Sequence, residues 1–186
     1  MSDRTLRHKV AIVGVGETQY FKHGQSPDPE FKLALKAIPA ACASAGISPH
    51  EIDGFASYSD DRNDAVRLAT ALGIPELRHS SMQWGGGGGG GTAAAVAHAA
   101  AAIAGGLADC IVVFRALAQG QFARYGQGGM AFGYGSAAPE ITGEMAFPVP
   151  HGAISPAQRF AMKVRRFMDE HGVEQAAVSV VASTRF

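Results

Sequence analysis

The chain has 186 residues, carries no net charge and is unusually rich in glycine. Its 24 glycines are about 13% of the residues, where roughly 7% is typical. Apolar residues make up 47% of the chain and charged residues 17%, which excludes an intrinsically disordered protein. Sixteen basic residues balance sixteen acidic ones, so the charge gives no indication of binding to nucleic acid or to an anionic membrane. The low charge predicts that part of the surface is covered by a partner subunit or by another part of the fold.

The cysteines and histidines are too few and too scattered for a disulfide framework or a metal site. Cys42 falls in a helical pattern and Cys110 in a strand pattern, so we expect both to be small buried side chains in a reducing cytoplasm. The seven histidines have no metal-ligand spacing. Residues 85–106 are mostly glycine and alanine, too weakly apolar to span a membrane. We therefore expect a soluble cytoplasmic protein without a metal or a permanently bound cofactor.

Hydrophobic periodicity predicts alternating strands and helices up to residue 116. The predicted strands are Lys9–Val15, Ile52–Tyr58, Leu77–Trp84 and Asp109–Ala116. The predicted helices are Phe31–Ala45, Asn63–Leu72 and Thr92–Ala104, which end at Gly46, Gly73 and Gly105. Asp60 or Asp61 is the expected cap of the second helix. The order βαβαβαβ predicts an α/β fold with a parallel or mixed sheet, and we expect the fourth strand to be buried on both faces.

The third predicted helix is apolar on every face except at His98. Such a helix is typical of the centre of a protein, where other layers cover it on all sides. We therefore predict a central buried helix, in which His98 is a core or interface residue.

The rest of the chain has a different character. Residues 119–154 contain eight glycines, five aromatic residues and three prolines without periodicity, which is typical of a binding segment. Ser155 and Pro156 then predict the start of a helix that continues to Phe167 and stops at Gly172. Residues 173–186 begin a further helix or strand. We divide the chain into an α/β core at 1–117 and a loop region with a helix at 118–186.

The run Gly85–Gly91 is the most informative motif. It is not a phosphate-binding loop, because Thr92 follows Gly91 instead of the lysine that such loops need. One interpretation is a close backbone crossing that leaves no room for a Cβ atom. A second, compatible interpretation places Gly88, Gly89 and Gly90 at a helix amino terminus, with free amides directed at a carbonyl or thioester oxygen of a ligand.

Candidates for polar chemistry lie in the aperiodic segment and just after it. They are Tyr125, Tyr134, Glu140, Glu144, His151 and Ser155. His151 stands out because it lies between Pro150 and Gly152, and we predict that it is an acid/base or a hydrogen-bonding group for a substrate. Tyr134 and Ser155 are the predicted substrate contacts in this part of the chain.

Several stretches together resemble thiolase-superfamily proteins of the lipid-transfer-protein type. They are the stretches at 10–18, 45–54, 106–110, 150–152, 155–157 and 165–168. The resemblance implies a duplicated βαβαβαββ unit stacked in five α-β-α-β-α layers, of which this chain would be the amino-terminal half. It also implies a homodimer.

The chain departs from thiolases at the position of their nucleophilic cysteine. An ungapped count back from Gly105 puts that position at Gly89, which has no side chain. Neither Cys42 nor Cys110 can replace the cysteine, because one lies far upstream and the other follows the helix. Without a thiolate there is no acyl-enzyme, so thiolase chemistry is disfavoured.

The chain is similar in this respect to a subset of the superfamily with glycines at the nucleophile site. These are aldolases that cleave steroid side-chain acyl-CoA intermediates together with an OB-fold, zinc-ribbon partner protein. The resemblance implies retro-aldol cleavage of a coenzyme A thioester, with the general bases in the half of the fold outside this chain. Two alternatives remain open: a thiolase or acetyl-CoA acyltransferase whose cysteine the count misplaces, and a non-catalytic acyl-CoA- or lipid-binding subunit.

Overall fold

A computed structural model of the chain describes residues 6, 8–22, 24–59, 61–83, 90–118, 146–153 and 155–183. The described residues up to 118 and those from 146 onward belong to two separate compact units, and each is described by itself. The predicted division between residues 117 and 118 stays a prediction. Gly88, Gly89 and Tyr134 lie outside the described residues.

The first unit is built on a parallel sheet of three strands in the order β2-β1-β3. The strands are β1 (Gly54–Tyr58), β2 (His79–Gln83) and β3 (Ile111–Val113). Gly54 of β1 lies opposite His79 on one side and Ile111 on the other. The predicted α/β fold with parallel strands is therefore confirmed, although each strand is shorter than its sequence pattern.

The last strand differs most from its prediction. The pattern at 109–116 gives only the three residues of β3, and these are half-buried where burial on both faces was expected. The strand is short because the backbone beyond it bonds to side chains. The Phe114 carbonyl oxygen accepts a hydrogen bond from Ser57 Oγ at 2.8 Å, and the Ala116 N–H donates to Asp61 Oδ2 at 2.8 Å.

Three helices connect and cover the strands. They are α1 (Glu30–Ala45), α2 (Ala65–Leu72) and α3 (Gly91–Ala104). Gly46 and Gly73 end the first two helices with positive φ angles of 72° and 69°, as glycine at this position predicts. The expected cap of α2 is wrong. Its cap is Asp64, whose carboxylate accepts the Arg67 N–H at 2.8 Å, because the Asp61 carboxylate is bound to the backbone at Ala116.

The hydrophobic core lies between β1 and the first two helices. Its most completely buried large side chains are Phe55, Ile38, Ile52 and Leu68. The Phe55 ring meets the Phe114 ring edge to face, with the centroids 5.8 Å apart. Side chains alternate along a strand, so Tyr58 lies on the other face of the sheet, where its ring contacts α3 at Gly91.

Only one face of α3 is buried in this unit. The buried positions are Gly91, Ala95, Ala99 and Ala102, and His98 lies on the exposed face. The central helix covered on all sides therefore stays a prediction.

The predicted strand at Lys9–Val15 is wrong. Residues 10–22 form neither helix nor strand, and the side chains of Ile12, Val13 and Val15 are 78%, 64% and 75% exposed. A β-branched run needs a neighbouring strand to complete a ladder, and none of the described strands lies beside this one. The segment instead lies against the backbone of α1.

The contact with α1 requires glycine. A Cβ atom at Gly16 would lie 2.3 Å from Ala41 N and 2.5 Å from the Ala37 carbonyl oxygen. We expect Gly16→Ala in the full-length protein to lower the free energy of unfolding by about 1–3 kcal/mol, because the helix backbone has to move. Val15→Ala changes the exposed neighbour and is the control. Equal urea midpoints for the two variants would contradict the contact.

The second unit contains a 3₁₀ turn (Val149–His151) and two helices, α4 (Pro156–His171) and α5 (Gln175–Ser183). Ser155 and Gln158 cap α4 reciprocally, and Pro156 is its first residue. Gly172 ends the helix with φ 63°. The predicted limits of this helix are confirmed, and the segment after Gly172 is helical.

Candidate functional site

The carboxyl end of the parallel sheet meets the amino terminus of α3. Ligands of open α/β sheets bind at this end of the strands. A Cβ atom at Gly91 would lie 2.8 Å from Cδ2 of Tyr58, the last residue of β1. The predicted close approach of the backbone is therefore confirmed at Gly91, where a tyrosine ring fills the space that a side chain would need.

The first turn of α3 carries backbone N–H groups at the carboxyl end of the sheet. The Ala94 N–H donates to the Gly90 carbonyl oxygen at 2.9 Å. The amides of residues 91–93 precede this bond, and they have no acceptor among the described residues of the helix. Gly90 is the cap residue, and a Cβ atom there would meet none of the described residues within 4 Å. The amino terminus of the helix thus combines backbone donors with the positive end of the helix dipole.

A cation lies at the same end of the sheet. The guanidinium carbon of Arg115 lies 4.9 Å from the centroid of the Tyr58 ring, within the range of a cation–π interaction. Both side chains are half-buried. No sequence motif predicted a role for these two residues. They could have been found from their places at the ends of the predicted strands 52–58 and 109–116, where functional side chains of α/β folds are found.

The turn after β1 has an unusual backbone. Ser59 has φ 56°, a left-handed conformation that residues other than glycine adopt rarely. Its N–H donates to the carbonyl oxygen of Gln83, the last residue of β2, at 2.9 Å. Backbone strain of this kind is found preferentially at functional sites. Here the strained residue joins the carboxyl ends of β1 and β2 through its hydrogen bond.

A buried carboxylate lies beside this turn. Asp61 is 6% exposed, and its Oδ1 accepts the N–H of Asn63 at 2.8 Å. Burial raises the pKa of the Asp61 carboxyl above its ordinary value and outweighs the hydrogen bonds from the Ala116 and Asn63 amides, which lower it. The negative charge of Glu30 raises this pKa further.

The raised pKa gives stability a measurable dependence on pH. Above the ordinary value of 3.8 the unfolded chain loses this proton first, so the folded state loses stability as the pH rises toward the folded pKa. Asp61→Asn removes the titration. We expect the free energy of unfolding of the wild type, minus that of Asp61→Asn, to be larger near pH 4 than near pH 7. Urea unfolding of both proteins across this range measures it, and a constant difference would contradict the raised pKa.

Comparison with known proteins identifies relatives of the chain, although no protein-family model matches it. It is 36% identical over 180 residues to the 17-hydroxy-3-oxo-4-pregnene-20-carboxyl-CoA lyase of Mycobacterium tuberculosis. It is 37% identical over 168 residues to the steroid side-chain-cleaving aldolase of Thermomonospora curvata. These alignments cover 94% and 87% of the chain. The chain is a homologue of the steroid side-chain-cleaving aldolases.

A solved structure agrees with this relationship. The Ltp2-ChsH2(DUF35) aldolase matches 87% of the chain with a TM-score of 0.68 and 31% identity. The family resemblance found in the sequence is therefore confirmed. The chain spans less than half of these aldolases, 45% and 40% of the two relatives and 38% of the solved chain.

Neither cysteine of the aldolase homologue lies at the amino terminus of α3. Cys42 is buried in α1, as expected, and Cys110 is half-buried. Cys110 precedes β3, and its carbonyl oxygen accepts the N–H of Gly54 at the amino end of β1. The five residues of β1 separate it from Tyr58 by about 13 Å. Burial raises the pKa of both thiols, which makes them poor nucleophiles at neutral pH.

The other predicted site residues lie in the second unit or outside the described residues. His151 is exposed at the end of the 3₁₀ turn. Ser155 has a structural role, because its Oγ accepts the Gln158 N–H at the start of α4. The substrate-binding roles of Gly88, Gly89, Gly90, Tyr134 and Ser155, and the catalytic role of His151, stay predictions.

Two kinds of feature are absent from the described part of the chain. No group of three or more potential ligands there could hold a metal ion. No helix among the same residues is long and apolar enough to cross a membrane.

Proposed function

We propose that the chain is part of an acyl-CoA carbon–carbon lyase that cleaves a β-hydroxyacyl-CoA thioester, with a steroid side chain as the acyl group. Its relatives over most of the chain carry the names carboxyl-CoA lyase and side-chain-cleaving aldolase. The observation that carries the proposal is the amino terminus of α3. Gly90 and Gly91 place backbone N–H donors there, and Cys42 and Cys110 both lie elsewhere.

This arrangement suits retro-aldol cleavage. A base removes the proton of the β-hydroxyl group, the bond between the α and β carbons breaks, and its electron pair moves onto the thioester as an enolate. The products are a ketone and, once the α carbon is protonated, a shortened acyl-CoA. The reaction needs stabilisation of a thioester oxyanion rather than a nucleophile. The amides of residues 91–93 supply hydrogen-bond donors for that oxygen, and Arg115 adds a fixed positive charge at the same end of the sheet.

Product analysis tests the reaction. The full-length protein, together with any partner it requires, is incubated with a steroid β-hydroxyacyl-CoA, and the released ketone and shortened acyl-CoA are measured by mass spectrometry. We expect equal amounts of the two products and an unmodified protein mass. The matched control is the acyl-CoA without the β-hydroxyl group, which cannot undergo retro-aldol cleavage.

The same experiment separates the alternatives. A covalent acyl adduct on Cys42 or Cys110 would indicate a thiolase or acyltransferase and overturn the lyase. Binding of the thioester without any product would indicate a non-catalytic acyl-CoA-binding subunit.

The proposal includes the setting in which the enzyme works. The name of the similar solved structure, Ltp2-ChsH2(DUF35) aldolase, contains two components. This supports a partner protein, for which we propose the predicted OB-fold, zinc-ribbon type. Homodimer formation through apolar surfaces is supported by exposed side chains such as Ile12 and Val15. The free thiols of Cys42 and Cys110 suit the reducing cytoplasm. Coenzyme A enters only as part of the substrate. Native mass spectrometry of the full-length protein tests both associations.

A further inference from the structure

The backbone that leaves β3 is held by side chains from other segments. Four hydrogen bonds join these side chains to residues 114–118. They are Ser57 Oγ to the Phe114 carbonyl oxygen at 2.8 Å, Asn63 Nδ2 to the Ala116 carbonyl oxygen at 3.5 Å, the Ala116 N–H to Asp61 Oδ2 at 2.8 Å, and the Ala118 N–H to Glu30 Oε1 at 3.1 Å. We call Asp61 and Glu30 the carboxylate clamp.

The carboxylates of the clamp and the residues whose N–H groups they accept are all buried. Ala116 and Ala118 are buried, as are Asp61 and Glu30 themselves. Buried amides need an acceptor, but buried carboxylates are a costly choice because each loses its hydration. The cost of burying the Glu30 charge is partly compensated by Arg62, whose guanidinium nitrogen lies 2.7 Å from Glu30 Oε1. Replacing buried charge by apolar groups is often neutral or stabilising, so stability alone does not account for the clamp.

The clamp holds the backbone next to Arg115. Arg115 lies between two anchored residues, Phe114 and Ala116. Its guanidinium stacks on Tyr58, and the Tyr58 ring contacts Gly91. A continuous series of contacts therefore leads from the buried carboxylates to the amino terminus of α3.

We propose that Asp61 and Glu30 are positioning residues, which hold Arg115 against Tyr58 so that its charge faces the thioester of the substrate. This inference rests on the proposed function, because it assigns the thioester to the amino terminus of α3. The carboxylates act through Arg115 and do not touch the substrate. Loss of the clamp therefore moves the charge away from the oxyanion that forms as the carbon–carbon bond breaks, which slows that step and leaves substrate binding nearly unchanged.

The same strand provides a matched control at its other end. Asp53 accepts the N–H groups of Asp109 and Cys110 at 2.8 Å each, at the amino end of β3. Asp53→Asn and Asp61→Asn make the same isosteric change. Each replaces a carboxylate oxygen, which accepts a backbone N–H, by an NH₂ group, which cannot accept it. Both remove a carboxylate that bonds to two backbone N–H groups, but only Asp61 lies beside Arg115 in the chain of contacts.

Double-mutant cycles with Arg115→Ala test the proposal in the full-length protein. We expect Asp61→Asn to lower kcat about tenfold, the value of a hydrogen bond to a charged group, with KM within about twofold of the wild type, because the oxyanion forms only as the bond breaks. Asp61→Asn should not lower the kcat of Arg115→Ala further, because Arg115 is then already absent. Asp53→Asn should leave kcat unchanged in either background. Glu30→Gln is the second clamp variant, used if Asp61→Asn does not fold.

The cycle also has a readout that needs no activity. The urea unfolding midpoints of the same variants measure whether Asp61 and Arg115 are coupled in the free protein. Additive midpoints, or independent effects of Asp61→Asn and Arg115→Ala on kcat, would overturn the proposal. A third outcome is possible. If the midpoints of the variants are coupled but the wild-type protein has no lyase activity, the clamp is confirmed and the proposed function is refuted.

Discussion

Replacing Gly91 by alanine is expected to lower kcat/KM for β-hydroxyacyl-CoA cleavage about 100-fold. The added methyl group would lie 2.8 Å from Cδ2 of Tyr58, so the tyrosine ring has to move. Tyr58 is the surface on which Arg115 stacks. A displacement of about 1 Å at a site that positions a substrate costs about this factor, and here it moves the helix amides and the cation apart.

The neighbouring glycine provides the comparison for this variant. Gly90→Ala adds the same methyl group one residue earlier, where none of the described residues has an atom within 4 Å and φ is −79°. We expect Gly90→Ala to keep the urea midpoint of the wild type and Gly91→Ala to lower it. The double variant Gly91→Ala with Tyr58→Leu should recover part of the lost stability, because the smaller side chain makes room. Equal unfolding of the two single variants would show that the ring contact at Gly91 has no energetic consequence.

Much of the fold could be predicted because local rules decide it. Gly46, Gly73 and Gly172 end helices in the left-handed conformation that glycine adopts without cost. Ser155 and Pro156 start α4 for equally local reasons, a side-chain cap and a residue whose missing N–H needs no acceptor. These signals need only a few neighbouring residues, so the sequence alone is enough to read them.

The errors arose where structure depends on distant partners. The β-branched segment ending at Val15 has strand propensity, but propensity forms no strand without a neighbour, and its glycines pack on α1 instead. Asp61 has a good position for capping α2, but its carboxylate is taken by the amide of Ala116, 55 residues away. The pattern at 109–116 was too long for the same reason, since side chains replace the backbone partners from the Phe114 carbonyl oxygen onward.

The candidate site was predicted only in its backbone part. The glycine run predicted a helix amino terminus with room for close approach, and Gly90 and Gly91 lie there. Tyr58 and Arg115 were missed because a single tyrosine and a single arginine form no motif. They come together only when β1 and β3 pair in parallel, with Ala56 opposite Val113, and this register is a property of the tertiary structure.

Arg115 is the residue at this site whose charge should matter most to the rate of the reaction. We expect Arg115→Ala to lower kcat about 10- to 100-fold, the range of a charge-assisted hydrogen bond, with little change in KM. The reason is electrostatic. In the described residues Arg115 is the cation that stacks on Tyr58, and the thioester oxygen becomes an anion as the carbon–carbon bond breaks. Steady-state kinetics measure the effect, and titration with a non-cleavable thioester analogue should give a Kd near that of the wild type.

Two substitutions separate the charge of Arg115 from its shape. Arg115→Lys keeps the charge but loses the planar guanidinium that stacks on a ring, whereas Tyr58→Leu keeps the arginine and removes the surface beneath it. If position matters as much as charge, Arg115→Lys and Tyr58→Leu each lower kcat nearly as much as Arg115→Ala. If charge alone matters, both keep a kcat near that of the wild type. The first result would mean that the stack, which the strand register and the clamp create together, places the cation where the oxyanion forms.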